Sequence, residues 1–301
     1  MIIEPRVHTL SLNPCLVYDQ SDITFSGKGL NVARNLRKLG YQHVASYVLV
    51  GGRSGEQVLR LLQDAGHAFE FSEIQEPTLE VDIKDPLTSI RRQPENPFVT
   101  ASELRSIEQK LKDKVRPGDI VVIAGSLPRN VDPQTYKKLI RYFNTLGAIT
   151  VLDTADRCAF KHAFDEGPTM AKPNRDEILD YLSITDHTYP SAQIKNRIND
   201  LVGRVDVLLI SLDEEGAILT EQGEKYQAKA LETRITNISG AGDALVAGYL
   251  FGLIKKIPPK EKLQFAIATA TSYIANGRYQ GINPEEVLRL QPQVNIERLL
   301  E

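Results

Sequence analysis

The residues best suited to chemistry lie in Asn237–Gly252, NISGAGDALVAGYLFG. Asp243 is the only charged side chain between Arg234 and Lys255. It follows Gly240-Ala241-Gly242 and precedes a run that is apolar almost all round, the pattern of a buried helix. Two glycines let the backbone turn tightly and bring its N–H groups close to a ligand. The first amides of a helix lack intrahelical partners, and the helix dipole adds partial positive charge there. The stretch therefore offers an anion site with one carboxylate at its mouth. Two readings fit it equally: phosphate is handled here with Asp243 as general base, or Gly-Ala-Gly is a plain turn and Asp243 a helix-start acid.

The surrounding elements suggest what positions it. Val7–Leu12 reads as a first strand, broken by Asn13-Pro14 because the residue before proline avoids the helical region. Ser26-Gly27-Lys28-Gly29-Leu30-Asn31 opens a helix that ends at Gly40. Val44–Val50 is a continuous apolar strand, followed by a helix over Gly55–Ala65. The same rhythm returns with a helix from Ser102, a strand over Asp119–Ala124, a helix from Pro133 and a strand ending at Asp153. A short strand at Thr169–Ala171 leads through Lys172-Pro173-Asn174 to a helix from Arg175. A helix over Tyr189–Val202 and a strand over Val205–Ser211 come next, then two antiparallel strands and the final helices. This is an α/β fold with a central, mostly parallel sheet, and ligands in such sheets sit beyond the carboxyl ends of the strands. The loops at Gly51–Gly55, Gly125–Pro128, Asp153–Asp156, Lys172–Glu177 and Ser239–Asp243 converge there.

Residues 67–98 depart from that rhythm. Leu79–Lys84 alternates strictly, Phe69 and Phe71 alternate too, and prolines recur at 77, 86, 94 and 97. The spacing predicts a small β-sheet outside the main one, fit to serve as a lid or a dimer contact. The chain then reads as one domain over residues 1–301, with lid segments at about 13–25 and 67–98.

Composition excludes several classes. The 301 residues sit at the upper edge of one domain, and a net charge of −3 gives no basic excess for nucleic acid. The start MIIEPRVHTL lacks the basic-then-apolar layout of a signal peptide, and the longest apolar run, Ala244–Ile254, is too short for a bilayer. Cys15 and Cys158 form neither a metal motif nor a disulfide framework, so a reducing cytoplasm is expected. Gly240-Ala241-Gly242 fails as a dinucleotide fingerprint, because Leu245 stands at the third glycine position. Gly27-Lys28-Gly29 fails as a P-loop, because no Ser or Thr follows Lys28.

The ordered set Asn13-Pro14, Ser26-Gly27-Lys28-Gly29-Leu30-Asn31-Val32-Ala33, Gly125-Ser126-Leu127-Pro128, Lys172-Pro173-Asn174 with Glu177, and Gly240-Ala241-Gly242-Asp243 resembles the PfkB, or ribokinase-like, carbohydrate kinases. It is most similar to their hexose-phosphate branch, the 1-phosphofructokinases, minor 6-phosphofructokinases and tagatose-6-phosphate kinases. The resemblance covers the chain from Thr9 to about Ile296. It implies a three-layer α/β sandwich with a β-sheet lid that in this branch often makes a homodimer contact. It implies ATP as donor, Mg²⁺ as cofactor and a sugar or sugar phosphate as acceptor. Asp243 matches the general base, and Gly240, Ala241 and Gly242 match the anion hole around the transferred phosphoryl group. Asn174 and Glu177 match the element that organises Mg²⁺ through water. As an alternative, the pair reads as a helix capping box. Lys172, Ser211 and Gly216 match the nucleotide side, with Asn174, Gly240 and Gly242. Asn13, Gly27, Lys28, Gly29 and Asn31 match the sugar side.

Departures fall on the acceptor side. Val17 stands where the family grips sugar hydroxyls with Asp. Glu80, Asp82 and Lys84 stand where the lid of this branch has Arg-x-Asn-x-Lys. Arg91, Arg92 or Arg129 is then expected to supply the positive charge for a phosphorylated acceptor, with Arg91 the residue assigned. On the donor side, Asp213 replaces a glycine near the nucleotide. These changes leave two alternatives open, a kinase for a non-phosphorylated acceptor and a non-catalytic nucleotide- or sugar-binding relative.

Overall fold

The computed structural model describes residues 4–19, 22–85, 90–92, 95–184, 194–195, 197–201 and 203–299. Its first strand, β1 (Val7–Ser11), lies between β4 (Val44–Val50) and β8 (Ile120–Ala124), parallel to both. From this centre the chain winds two ways. On one side β5 (Ala68–Glu73) continues the sheet beyond β4. On the other, β9 (Ile149–Asp153), β10 (Met170–Ala171) and β11 (Val207–Ser211) continue parallel beyond β8. Three antiparallel strands, β12 (Ala217–Glu221), β13 (Glu224–Ala228) and β14 (Ile296–Arg298), complete a ten-stranded sheet.

The strand pattern explains the layers. In β8, Ile120, Val122 and Ala124 face one apolar cluster, and Val121 and Ile123 face another. A strand buried on both faces has no polar position to alternate with, so it reads as a continuous apolar run. One face is covered by α3 (Ala101–Lys114), α4 (Thr135–Leu146), α5 (Arg157–Phe164) and α6 (Arg175–Tyr181). The other carries α1 (Lys28–Lys38), α7 (Ala241–Ile254), α8 (Pro259–Gln280) and α9 (Pro284–Leu290). Helix α2 (Gly52–Asp64) packs on β4 in a third cluster. Among the described residues no helix is long and apolar enough to cross a membrane.

A second sheet of four strands has the order β3 (Asp22–Ser26), β2 (Cys15–Asp19), β6 (Leu79–Asp85) and β7 (Ile90–Arg92). The expected boundary at 67 is corrected here. Ala68–Glu73 pairs in parallel with β4 at the edge of the large sheet and takes no part in the small one. An edge strand with one open face alternates as a lid strand does, so Phe69 and Phe71 could not separate the two.

Other boundaries shift by capping chemistry. Thr100, not Ser102, caps α3 in a full capping box with Glu103. Helix α4 starts at Thr135, and the Asp132–Gln134 turn precedes it, held by the Asp132 carboxylate. Half of the helix expected over Tyr189–Val202 falls outside the described residues; of the rest, Ile194, Lys195 and Arg197 are helical and Ile198–Asp200 forms a 3₁₀ turn.

Candidate active site

The carboxyl ends of β1, β9, β10 and β11 meet the N-termini of α1, α6 and α7. Gly240 precedes α7 with φ of +102°, and a Cβ there would stand 2.5 Å from the Tyr273 hydroxyl. Only glycine accepts both conditions without strain. Ala244 N–H closes onto the Gly240 carbonyl, and no backbone acceptor among the described residues takes the Gly242 or Asp243 amide. These are the orphan donors of a helix start, at the stretch expected to form an anion hole.

Asp243 is 5% exposed. Asn31 Nδ2 donates to its Oδ2 over 2.7 Å. Burial pushes this carboxyl up to about 6, against the pull of Lys28, Asn31 and Lys172 and with an added push from Asp153. The environment thus moves the acid toward the pH range in which a general base works while keeping it ionised at neutral pH.

Facing it is a charge cluster around a buried carboxylate. Lys28 Nζ donates to Asp153 Oδ1 over 2.7 Å, and Lys172 Nζ lies 3.4 Å from the same oxygen. Asp153 is fully buried and held below the usual carboxylate range, because the two ammonium groups outweigh its burial. Lys28 is raised despite burial by Asp153, Asp243 and Glu177. The Lys172 ammonium would lie 3.5 Å from a Cβ at Gly242, so the lysine borders the helix start. Asp153 is the residue missed as an individual site candidate. Its signal in the sequence is an acid closing the apolar run ITVLD at a strand's carboxyl end.

Asn174 and Glu177 cap each other at the start of α6. Asn174 Oδ1 accepts from Glu177 N–H and Glu177 Oε2 accepts from Asn174 N–H, each over 2.8 Å. The capping-box alternative is therefore realised. It does not remove Glu177 from the site, since its buried carboxyl senses Lys172, Lys28 and Asp153 and is raised by burial. Asn174 also bridges Ser211 in register, which joins two of the positions expected on the nucleotide side. Gly216, at φ +93°, would place a Cβ 2.0 Å from the Ala228 carbonyl, so close packing of the β11–β12 turn requires glycine there.

Among the residues expected on the sugar side, Gly27 precedes α1, and Gly29 lets the helix approach β1, since a Cβ would meet Ser11 Oγ at 2.6 Å. Asn13 Nδ2 donates to Ser126 Oγ over 3.1 Å, while its buried Oδ1 has no partner among the described residues. That leaves an acceptor for a ligand hydroxyl. Val17 packs with Leu79 and Val81 inside the small sheet. Glu80 is exposed and lies beside the Tyr18 hydroxyl. Arg91 sits in β7 opposite Ile83, and the side chains of Arg91, Arg92, Asp82 and Lys84 lie outside the described residues. Arg129 is corrected as a source of free positive charge, because it pairs with Glu76 at 2.8 Å and Glu95 at 3.4 Å. Asp213, at positive φ in a 3₁₀ turn after β11, is raised by burial and by Glu214.

The donor set fits a magnesium–nucleotide complex. Asp153 Oδ2 is a buried oxygen with no partner among the described residues, beside the Glu177 carboxylate and two lysines. Among the described residues no group of three or more His, Cys, Asp or Glu side chains forms a metal cage. Mg²⁺ suits such a site, because it keeps waters and binds through few carboxylates together with substrate phosphates.

A doubly wound sheet, a second four-stranded sheet and a buried acid at a helix start define a ribokinase-like α/β fold. Residues 9–285 match the pfkB family of carbohydrate kinases, and the chain belongs to that family. It is 29% identical over 314 residues to the 1-phosphofructokinase of Bacillus subtilis strain 168, covering 97% of this chain and 100% of that one. It is 28% identical over 257 residues to a tagatose-6-phosphate kinase of Staphylococcus epidermidis, covering 83% of this chain and 81% of that one. Phosphofructokinase-2 from Escherichia coli in complex with substrates and products superimposes with a TM-score of 0.80 at 21% identity, covering 96% of this chain and 99% of that one.

Proposed function

We propose that the protein transfers the terminal phosphoryl group of ATP to a hydroxyl of a sugar phosphate resembling fructose 1-phosphate. The observation that carries this reading is the buried Asp243 carboxylate at the start of α7, held by Asn31 and facing Lys28 and Lys172. The names of the similar kinases favour a phosphorylated sugar as acceptor.

In this reading Asp243 takes the proton of the acceptor hydroxyl as the oxygen attacks. The amides around Gly240–Gly242 and the Lys172 ammonium receive negative charge on the transferred group, a contribution made by position and electrostatics. Asp153 keeps Lys28 charged and holds both Lys28 and Lys172 in place. Bound Mg²⁺–ATP supplies the phosphoryl group and neutralises its charge, with Glu177, Asn174 and Asp153 as the residues that would hold the ion, partly through water. Asn13 and Asn31 orient the sugar. The small sheet closes over the acceptor as a lid and offers a surface for a second copy of the chain.

The test is an ATP-consumption screen over sugars and sugar phosphates with wild-type protein and Asp243→Ala. Transfer to a ketose phosphate that falls by roughly 10²–10⁴-fold in the variant is the expected result. Transfer fully retained by the variant would sink Asp243 as the base. A second reading, a non-phosphorylated acceptor, draws on the pairing of Arg129 with Glu76 and Glu95. Activity with neutral sugars in the same screen would select it.

A further inference from the structure

A cleft of about 470 Å³ opens away from this site, between α1, α2 and the end of β3. Its walls include Arg34, Arg37 and Lys38 of α1, Asp64 of α2, Phe25 of β3 and His67. Among the described residues of its walls, three cations thus face one carboxylate. Arg37 and Lys38 lie in the last turn of α1, where cations complement the helix dipole, and that accounts for their presence. It does not account for Arg34, one turn earlier, or for a concave wall shared with a buried imidazole. Neither Arg37 nor Lys38 pairs with a carboxylate among the described residues; Lys38 Nζ donates to the Gln280 carbonyl. His67 is 9% exposed, and its ring meets Phe25 edge-on at 5.5 Å. The Arg34 guanidinium lies over that same Phe25 ring at 5.3 Å. Burial, with Arg37 and Arg34, pushes His67 down to about 4, and burial with Arg34 also lowers Lys38. The described side chains of its walls carry a net positive charge.

Arg34 also connects to Asp243 through Asn31. Its Nη2 donates to Asn31 Oδ1 over 2.9 Å, and Asn31 Nδ2 donates to Asp243 Oδ2 over 2.7 Å. One amide therefore links the wall of the cleft to the carboxylate of the site. A guanidinium on the amide oxygen polarises the N–H that supports the charged carboxylate.

We propose that this cleft binds a phosphoryl-bearing small anion through Arg34, Arg37 and Lys38, and that its occupancy is read at Asp243 through Arg34 and Asn31. A phosphoryl oxygen matches the donor fork of arginine and competes with Asn31 for the guanidinium. Loss of that polarisation weakens the hydrogen bond to Asp243 and disfavours its charged form. Lys28, Lys172 and Asp153, which also face Asp243, are untouched by the cleft. The second half of the proposal rests on Asp243 being the base; the first does not.

The test follows the His67 ring resonances of the full chain by NMR, assigned by comparison with His67→Gln. The probes are inorganic phosphate, fructose 1-phosphate and chloride at matched ionic strength. Phosphate or the sugar phosphate should shift His67 saturably and raise its titration midpoint, because a bound anion favours the imidazolium. Chloride should not. Equal response to both phosphates assigns the phosphoryl group as the ligand, and response to the sugar phosphate alone assigns an organic phosphate. R37Q/K38Q should weaken the response about tenfold or more while keeping turnover without added phosphate. Should the double variant not fold, K38Q alone should give an intermediate loss. An unmoved His67, an equal shift with chloride or an equal shift in R37Q/K38Q overturns the site. For the coupling, phosphate should move the acid limb of kcat/KM to higher pH in the wild type but not in R37Q/K38Q. Competition at the active site would instead raise KM in both. A responding His67 with an unmoved acid limb overturns the coupling and supports the cleft. If no acceptor is phosphorylated, the proposed activity fails and His67 still decides the cleft.

Discussion

Asn31 donates its side-chain N–H to Oδ2 of Asp243 over 2.7 Å, joining α1 to α7 across 212 positions of sequence. Arg34 occupies the other end of the same amide, which fixes the nitrogen toward the carboxylate. Hydrogen bonding to the charged form opposes the burial that lifts Asp243 to about 6. Replacing Asn31 by Leu removes that opposition. A hydrogen bond to a charged group contributes about 1.5–3 kcal/mol, so the acid limb of kcat/KM should move up by roughly one pH unit or more. A pH–rate profile of N31L with an unmoved limb would show that the bond has no part in ionising Asp243.

Asp243 should cost stability at neutral pH. Its folded-state value lies above its ordinary one, so its favourable contribution is complete below the ordinary carboxylate range and is lost as pH rises through about 6. Asp243→Asn does not titrate and should be more stable than the wild type at pH about 7 by on the order of 2 kcal/mol, with the gap closing toward pH about 4. Urea midpoints at both pH values measure it.

Asp153 has the opposite sign. Its folded-state value is lowered, so its contribution is present above the ordinary carboxylate range and disappears as pH falls through the folded value. Asp153→Asn leaves the buried Lys172 and the partly exposed Lys28 without their shared partner, a loss of about 3–5 kcal/mol at neutral pH that falls mainly on Lys172. Removing one lysine as well, in D153N/K28M, should recover part of it. Denaturant curves in which the double variant is as unstable as the sum of two single variants would contradict a shared charge cluster.

Gly240→Ala should damage both fold and site. The residue has φ of +102°, and its Cβ would press on the Tyr273 ring and hydroxyl. The conformational strain alone costs about 1 kcal/mol or more. The thermal shift produced by Mg²⁺–ATP, a readout of binding to the folded state, should shrink together with turnover. An unchanged shift would remove these amides from nucleotide binding.

Much of the fold is legible because it is local. The apolar runs IVVIA and VASYVLV announce buried strands, and Asn174 with Glu177 announces a helix start. The lid was only half legible. Leu79–Asp85 does belong to the small sheet, but Ala68–Glu73 joined the large one, because alternation reports that a strand has two unlike faces and not which sheet it enters. The helix starts at Thr100 and Thr135 were misplaced by competition between nearby side-chain caps and turns.

By itself the sequence determined the family pattern, the alternation of strands and helices, and the glycines at 27, 29, 216 and 240, because backbone conformation and close approach are written in single residue types. Tertiary structure alone decided that Lys28 and Lys172 share Asp153, that Asn31 steadies Asp243, and that Arg129 is neutralised by Glu76 and Glu95. Such partners lie far apart along the chain, and charge pairing depends on distance and burial, which only the packed sheet and its helices set.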